Sequence, residues 1–265
     1  MTGTTPRRRV SGMALTAVLL GATACSGEEP PARTPSPAER ALRAVERAVD
    51  RAGSARITST TVMGRELSIE AAGTLGWRDD GLTGTLTITY TGGTTAETMR
   101  ELGTTSMEAR YLPDAYYARI GDAFAGKLGG RHWIRYDYTD LESLGGAGAG
   151  FAEQMRTSTP QQSVKLLLTA EDVRKVGVGT TRGQRTTHYS GTVDGPGTQT
   201  VDIWVNDQDL LVKKVERGST ESGRLTQTAY YGDYGARAAA ERPPAADTAD
   251  FEDLLGQETG GAGPS

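Results

Sequence analysis

Between residues 37 and 52 the apolar positions Ala41, Leu42, Val45, Ala48, Val49 and Ala52 recur every three or four residues, with Arg40, Arg43, Glu46, Arg47 and Arg51 between them. That spacing predicts an amphipathic helix with one thin apolar stripe. Ser36-Pro37-Ala38-Glu39 supplies its start. The serine hydroxyl can accept from an orphan N–H, the proline φ suits the first turn, and the glutamate closes a capping box. Gly53 supplies the stop. From Ala55 the period drops to two, with Ile57, Ser59, Thr61 and Met63 on one face. Leu67–Trp77 and Leu82–Tyr90 continue as strands. In the latter, Leu82, Leu86, Ile88 and Tyr90 share one face, and Thr83, Thr85, Thr87 and Thr89 share the other. Arg78-Asp79-Asp80-Gly81 between them carries an Asp-Gly hairpin signal.

Further strands are expected at Met107–Leu112, Ala115–Ile120 and His132–Asp137. A helical stretch from Leu141 is interrupted by Gly145–Gly150 (GGAGAG), which reads as a mobile loop. Thr159-Pro160-Gln161-Gln162 opens a second capped helix with Val164, Leu167 and Leu168 on its apolar face. Strands at Asp172–Thr180, Gln184–Val193, Thr198–Val205, Leu210–Arg217 and Arg224–Tyr231 close the domain. Asn206–Asp209 makes a tight hairpin within that set. Pro243-Pro244 is expected to end the sheet, followed by a helical turn at Asp250–Leu255. With about eleven strands, two or three helices and no βαβ alternation, the fold class is α+β with a mostly antiparallel sheet.

The N-terminus breaks this pattern. Arg7, Arg8 and Arg9 precede an apolar run over Val10–Gly21 of roughly 12 residues, against the ~20 a spanning helix needs. This is the layout of an export leader. Ala22-Thr23-Ala24-Cys25 then resembles a bacterial lipobox, with Ala22 standing where leucine is preferred. The resemblance implies cleavage before Cys25, acylation of its thiol, and attachment to the outer face of the cell membrane. The other reading is an ordinary leader cut after Ala24. The expected organisation is a leader at 1–24, a tether at 25–36, one domain at 37–255 and a disordered tail at 256–265.

Composition mainly excludes. In 265 residues the formal net charge is −4, so a basic nucleic-acid surface is not expected. One cysteine rules out a disulfide scaffold, and two separated histidines leave little for a zinc or His-based catalytic centre. Asp79-Asp80 and Asp207–Asp209 are turn carboxylates. The GGAGAG run lacks the Lys-Ser/Thr of a phosphate loop. No enzyme, metal or cofactor is expected.

The order of parts carries a second resemblance. HWIRYD (132–137), QSVKLLLTAEDVRKVG (162–177), GQRTTHYSGTV (183–193), VDIWVNDQDLLVKKV (201–215) and Tyr234-Gly235 before the late prolines are similar to strand and hairpin motifs of the LolA/LppX-type lipoprotein family. The resemblance implies a curved antiparallel half-barrel with helices on its concave face and a hydrophobic cavity for acyl chains. On that reading Leu86, Ile88, Val164, Leu167 and Leu168 would wall the cavity, the ligand would be a lipid or glycolipid, and the glycine-rich loop would gate it. A non-carrier envelope lipoprotein, acting as an interaction or sensor scaffold on the same fold, is the other function class.

Overall fold

The computed structural model describes residues 34–260, except 79–80, 157–158, 195–197 and 221–222. Cys25, the leader and most of the tether therefore lie outside the described residues, as do Asp79-Asp80 and the last part of the tail. Residues from Pro35 onward form one compact unit.

Helix α1 (Pro37–Ala52) is built as its sequence dictates. The Ser36 hydroxyl accepts from the Glu39 N–H, the Glu39 carboxylate accepts from the Ser36 N–H, and Gly53 ends the helix at φ 69°. Its stripe of Leu42, Val45 and Val49 is fully buried. Trp77 ties the helix to the sheet by donating to the Val49 carbonyl at 3.1 Å.

Among the described residues, twelve strands form one open sheet. They are β1 (Ser54–Met63), β2 (Leu67–Arg78), β3 (Gly81–Gly92), β4 (Ser106–Tyr111), β5 (Ala115–Arg119), β6 (Trp133–Asp137), β7 (Arg174–Thr181), β8 (Gln184–Val193), β9 (Gln199–Asn206), β10 (Leu211–Thr220), β11 (Gly223–Gly232) and β12 (Thr248–Asp250). The spatial order is β12-β6-β5-β4-β3-β2-β1-β11-β10-β9-β8-β7. Two meanders, β1–β6 and β7–β11, are thus sewn together where β1 pairs with β11, Ile57 opposite Tyr231. All pairings are antiparallel except β12 with β6. The β9–β10 turn is fixed locally: Asn206 Oδ1 accepts from the Gln208 and Leu210 N–H groups, and Asp209 takes φ 59°.

Three expectations are corrected. Gly145–Gly150 is not a loop, because α5 (Gly146–Arg156) runs through it. A Cβ at Gly148 would lie 2.6 Å from the Leu141 carbonyl, so the small residues let α5 back closely onto α4 (Tyr138–Ser143). Pro243-Pro244 does not end the sheet, since the chain turns there and adds β12 beside β6. The expected tail is shortened, because α7 (Phe251–Gly260) runs past residue 255. Two further helices, α2 (Gly93–Glu101) and α3 (Asp122–Ala125), sit in strand connections. Helix α6 (Pro160–Leu168) carries the expected Thr159 cap.

One face of the sheet is covered by helices. There Leu42, Val45 and Val49 of α1 meet Val164 and Leu167 of α6 above Ile57, Leu75, Ile203 and Leu211.

Candidate functional site

Not all of the helix-covered face is filled. A cavity of about 360 Å³ lies between the strands β10-β11-β1-β2-β3 and the adjoining parts of α5 and α6. Alternation brings Ile57, Ser59 and Thr61 of β1, Ala71 of β2, and Leu86 and Ile88 of β3 to this face. Met155 of α5 and Thr159, Gln162 and Ser163 around the start of α6 complete the lining.

The cavity has two unlike ends. Toward β2 and β3 it is apolar, with Ile69, Ala71, Leu86, Ile88, Tyr111 and Met155. Burial pushes the Tyr111 hydroxyl well above its ordinary pKa, with a smaller push from Tyr138, so it stays neutral. Toward β10 the lining turns polar. Lys214 Nζ donates to Glu216 Oε1 at 2.9 Å, and Ser163 Oγ donates to the same oxygen at 3.2 Å. The two charged side chains are only 13% and 17% exposed. Beside them Gln227 Nε2 donates to Thr61 Oγ1 at 3.3 Å.

A register shift between Leu211 and Lys213 puts this pair inside. Leu211 pairs with inward-facing Val205, yet Lys213 pairs with Trp204 on the open face. The extra residue flips the parity of β10, as a β-bulge does. Lys214 and Glu216 therefore face the helices, opposite Ile203 and Val201.

Of the residues singled out from the sequence, Leu86 and Ile88 line the cavity. Val164 and Leu167 are fully buried in the core beneath α6, and half-buried Leu168 packs against that core. Ser163, Lys214, Glu216 and Gln227 were not singled out as lining; for Lys214 and Glu216 the signal, two charges spaced by one residue within a strand, is the same as that of a solvated face.

The two histidines serve the sheet. His132 Nδ1 and backbone N–H both meet Asp247 Oδ1, at 2.7 and 2.9 Å, where the chain enters β12. On the open face His188 stacks on Trp204 with centroids 4.2 Å apart, and its Nε2 lies 2.8 Å from Asp202 Oδ1. Arg217 donates to the other Asp202 oxygen at 2.7 Å. Burial alone would raise the Asp202 carboxyl, but hydrogen bonds from His188, Ser190 and Arg217 outweigh it and hold the carboxyl below its usual range. The stability this contributes is complete above the unfolded value of about 3.9 and is lost as pH falls through the lower folded value. Asp202→Asn is thus expected to be less stable at neutral pH and to lose less on acidification. Urea melts at neutral and acid pH check this, and an undiminished acid loss would contradict it. Among the described residues no group of three or more His, Cys, Asp or Glu is placed to hold a metal ion.

No family model matches this chain. SCO4650 of Streptomyces coelicolor, which is named as a lipoprotein, is 66% identical over 284 residues, covering 97% of this chain and 99% of its own. The chain belongs to the family of SCO4650. Among solved structures, LprF from Mycobacterium bovis matches 80% of this chain with 100% of its own, at 15% identity and a TM-score of 0.50. LppX from Mycobacterium tuberculosis matches 77% of this chain with 98% of its own, at 12% identity and a TM-score of 0.48. The LprF likeness gives this SCO4650 relative its fold class, an open, curved, mostly antiparallel sheet with helices on one face. That is the architecture the motifs of residues 132–235 implied.

Proposed function

We propose that this protein is an exported lipoprotein, attached to the outer face of the cell membrane through Cys25, and that the cavity under α5 and α6 takes up a lipid or other amphiphile. The observation that carries the reading is the cavity's apolar wall. Leu86, Ile88 and Met155 border open space on one side and the main core on the other. A space of about 360 Å³ is at the lower end of the ~300–1,000 Å³ typical of small-ligand sites, so it suits one chain of modest length rather than several. Each methylene buried there contributes about 0.8 kcal/mol. The name and 66% identity of SCO4650 support the lipoprotein half of the reading. The work is binding and presentation, with no bond made or broken.

Native mass spectrometry of residues 35–265, exported to a bacterial envelope behind a cleavable leader, tests it together with uptake of a fluorescent fatty-acid probe. Probe uptake by the wild type is expected to fall about tenfold or more in Ala71→Trp, which fills the apolar end, while the melting temperature stays close to wild type. An empty wild type that takes up neither this probe nor its uncharged monoacylglycerol counterpart would instead favour the scaffold role.

A further inference from the structure

An ion pair is a poor choice for holding this fold together. Lys214 and Glu216 are largely withdrawn from water, and the loss of hydration about offsets the attraction between such charges; apolar side chains of the same shape serve stability as well or better. The bulge in β10 nevertheless turns both of them inward, onto the wall of a cavity. Their hydrogen bonding is lopsided. Lys214 and Ser163 both converge on Glu216 Oε1, so among the described residues Oε2 takes no hydrogen bond, and Lys214 uses one of its three ammonium protons. An acceptor and two donors are left beside the cavity, roughly 19 Å across the sheet from Leu86 and Ile88, four strand intervals away.

We propose that this pair is a polar-group clamp that selects an uncharged, hydroxyl-bearing amphiphile. A ligand hydroxyl donates to Glu216 Oε2 and accepts from Lys214 Nζ, so one group satisfies both residues. Charged groups fare worse. A carboxylate or phosphate meets a lysine already neutralised and a like charge at Glu216, and an ammonium meets the same conflict at Lys214. The apolar end sets the chain and the polar end sets the head. The clamp rests on the reading of this cavity as a ligand site.

Monolaurin and laurate share one acyl chain and differ in the head, a glycerol against a carboxylate. Calorimetric titration of residues 35–265 with each, below micelle formation, is expected to show monolaurin bound about tenfold or more tightly, the scale of one hydrogen bond to a charged group. Glu216→Gln leaves Lys214 without a counter-charge, so the preference is expected to invert toward laurate and to weaken with added salt. Lys214→Met combined with Glu216→Gln should bring the two affinities together. Because the single variant gains an affinity, a merely unfolded protein cannot mimic the result. Equal binding of both probes by the wild type, or a preference unchanged in Glu216→Gln, overturns the clamp and leaves the ligand site standing. Binding of neither probe by the wild type overturns both.

Discussion

Gly84→Ala is expected to destabilise the domain by about 3–5 kcal/mol, combining an overpacked contact with a strained backbone. Gly84 sits in the middle of β3 at φ 137°, and a Cβ there would lie 2.1 Å from the Thr74 carbonyl oxygen. Its counterpart on β2 is Gly73, where a Cβ would lie 2.0 Å from the Thr85 carbonyl oxygen. These glycines flank the Thr74–Thr85 pair, and each gives up its side-chain space to a leucine from the other strand. Leu75 Cδ2 lies over Gly84, and Leu86 Cδ2 lies over Gly73. The strands can therefore coil tightly against each other, and Leu86 is brought onto the cavity wall. At roughly 2–4 °C per kcal/mol for a domain of this size, the melting temperature should fall by on the order of 10 °C. Gly126→Ala is the control, since its helical φ of −56° and open surroundings predict a gain of about 0.4–1 kcal/mol. A Gly84→Ala variant that melts with the wild type would mean that β2 and β3 do not approach this closely.

The same comparison shows what a single sequence carries. Helix α1 was legible because every determinant is local: Ser36, Pro37, Glu39 and Gly53 act within one turn of each end. The β9–β10 hairpin was legible for the same reason, through Asn206. Helix α2 was not, because Gly92 offers no capping side chain and its threonines read as strand. Helix α5 hid behind GGAGAG, where the glycines answer to the approach of α4 rather than to a turn. Strand β12 pairs with β6 across more than a hundred residues, and no local pattern announces a three-residue parallel partner. The cavity divides likewise. Leu86 and Ile88 followed from parity within β3, whereas Lys214 and Glu216 depend on a register shift that strict alternation from Leu211 places on the wrong face.

Cys25→Ser, placed behind a leader cut by ordinary signal peptidase, is expected to move essentially all of the protein from the membrane pellet to the soluble fraction. Among the described residues no helix is long and apolar enough to cross a membrane. The chain is acidic at −4, and removing Arg7, Arg8 and Arg9 with the leader makes it more so, which disfavours adsorption to an anionic surface. On the proposed reading attachment rests on acyl chains at Cys25, each methylene contributing about 0.8 kcal/mol and more than one chain being needed for a stable hold. That force is apolar, so the wild type should stay in the pellet at high salt. The soluble variant should take up the fatty-acid probe as the wild type does, since the anchor and the cavity act separately. Retention of the variant in a high-salt pellet would place the anchor elsewhere in the chain, and an unacylated mass for mature wild type would overturn the role given to Cys25.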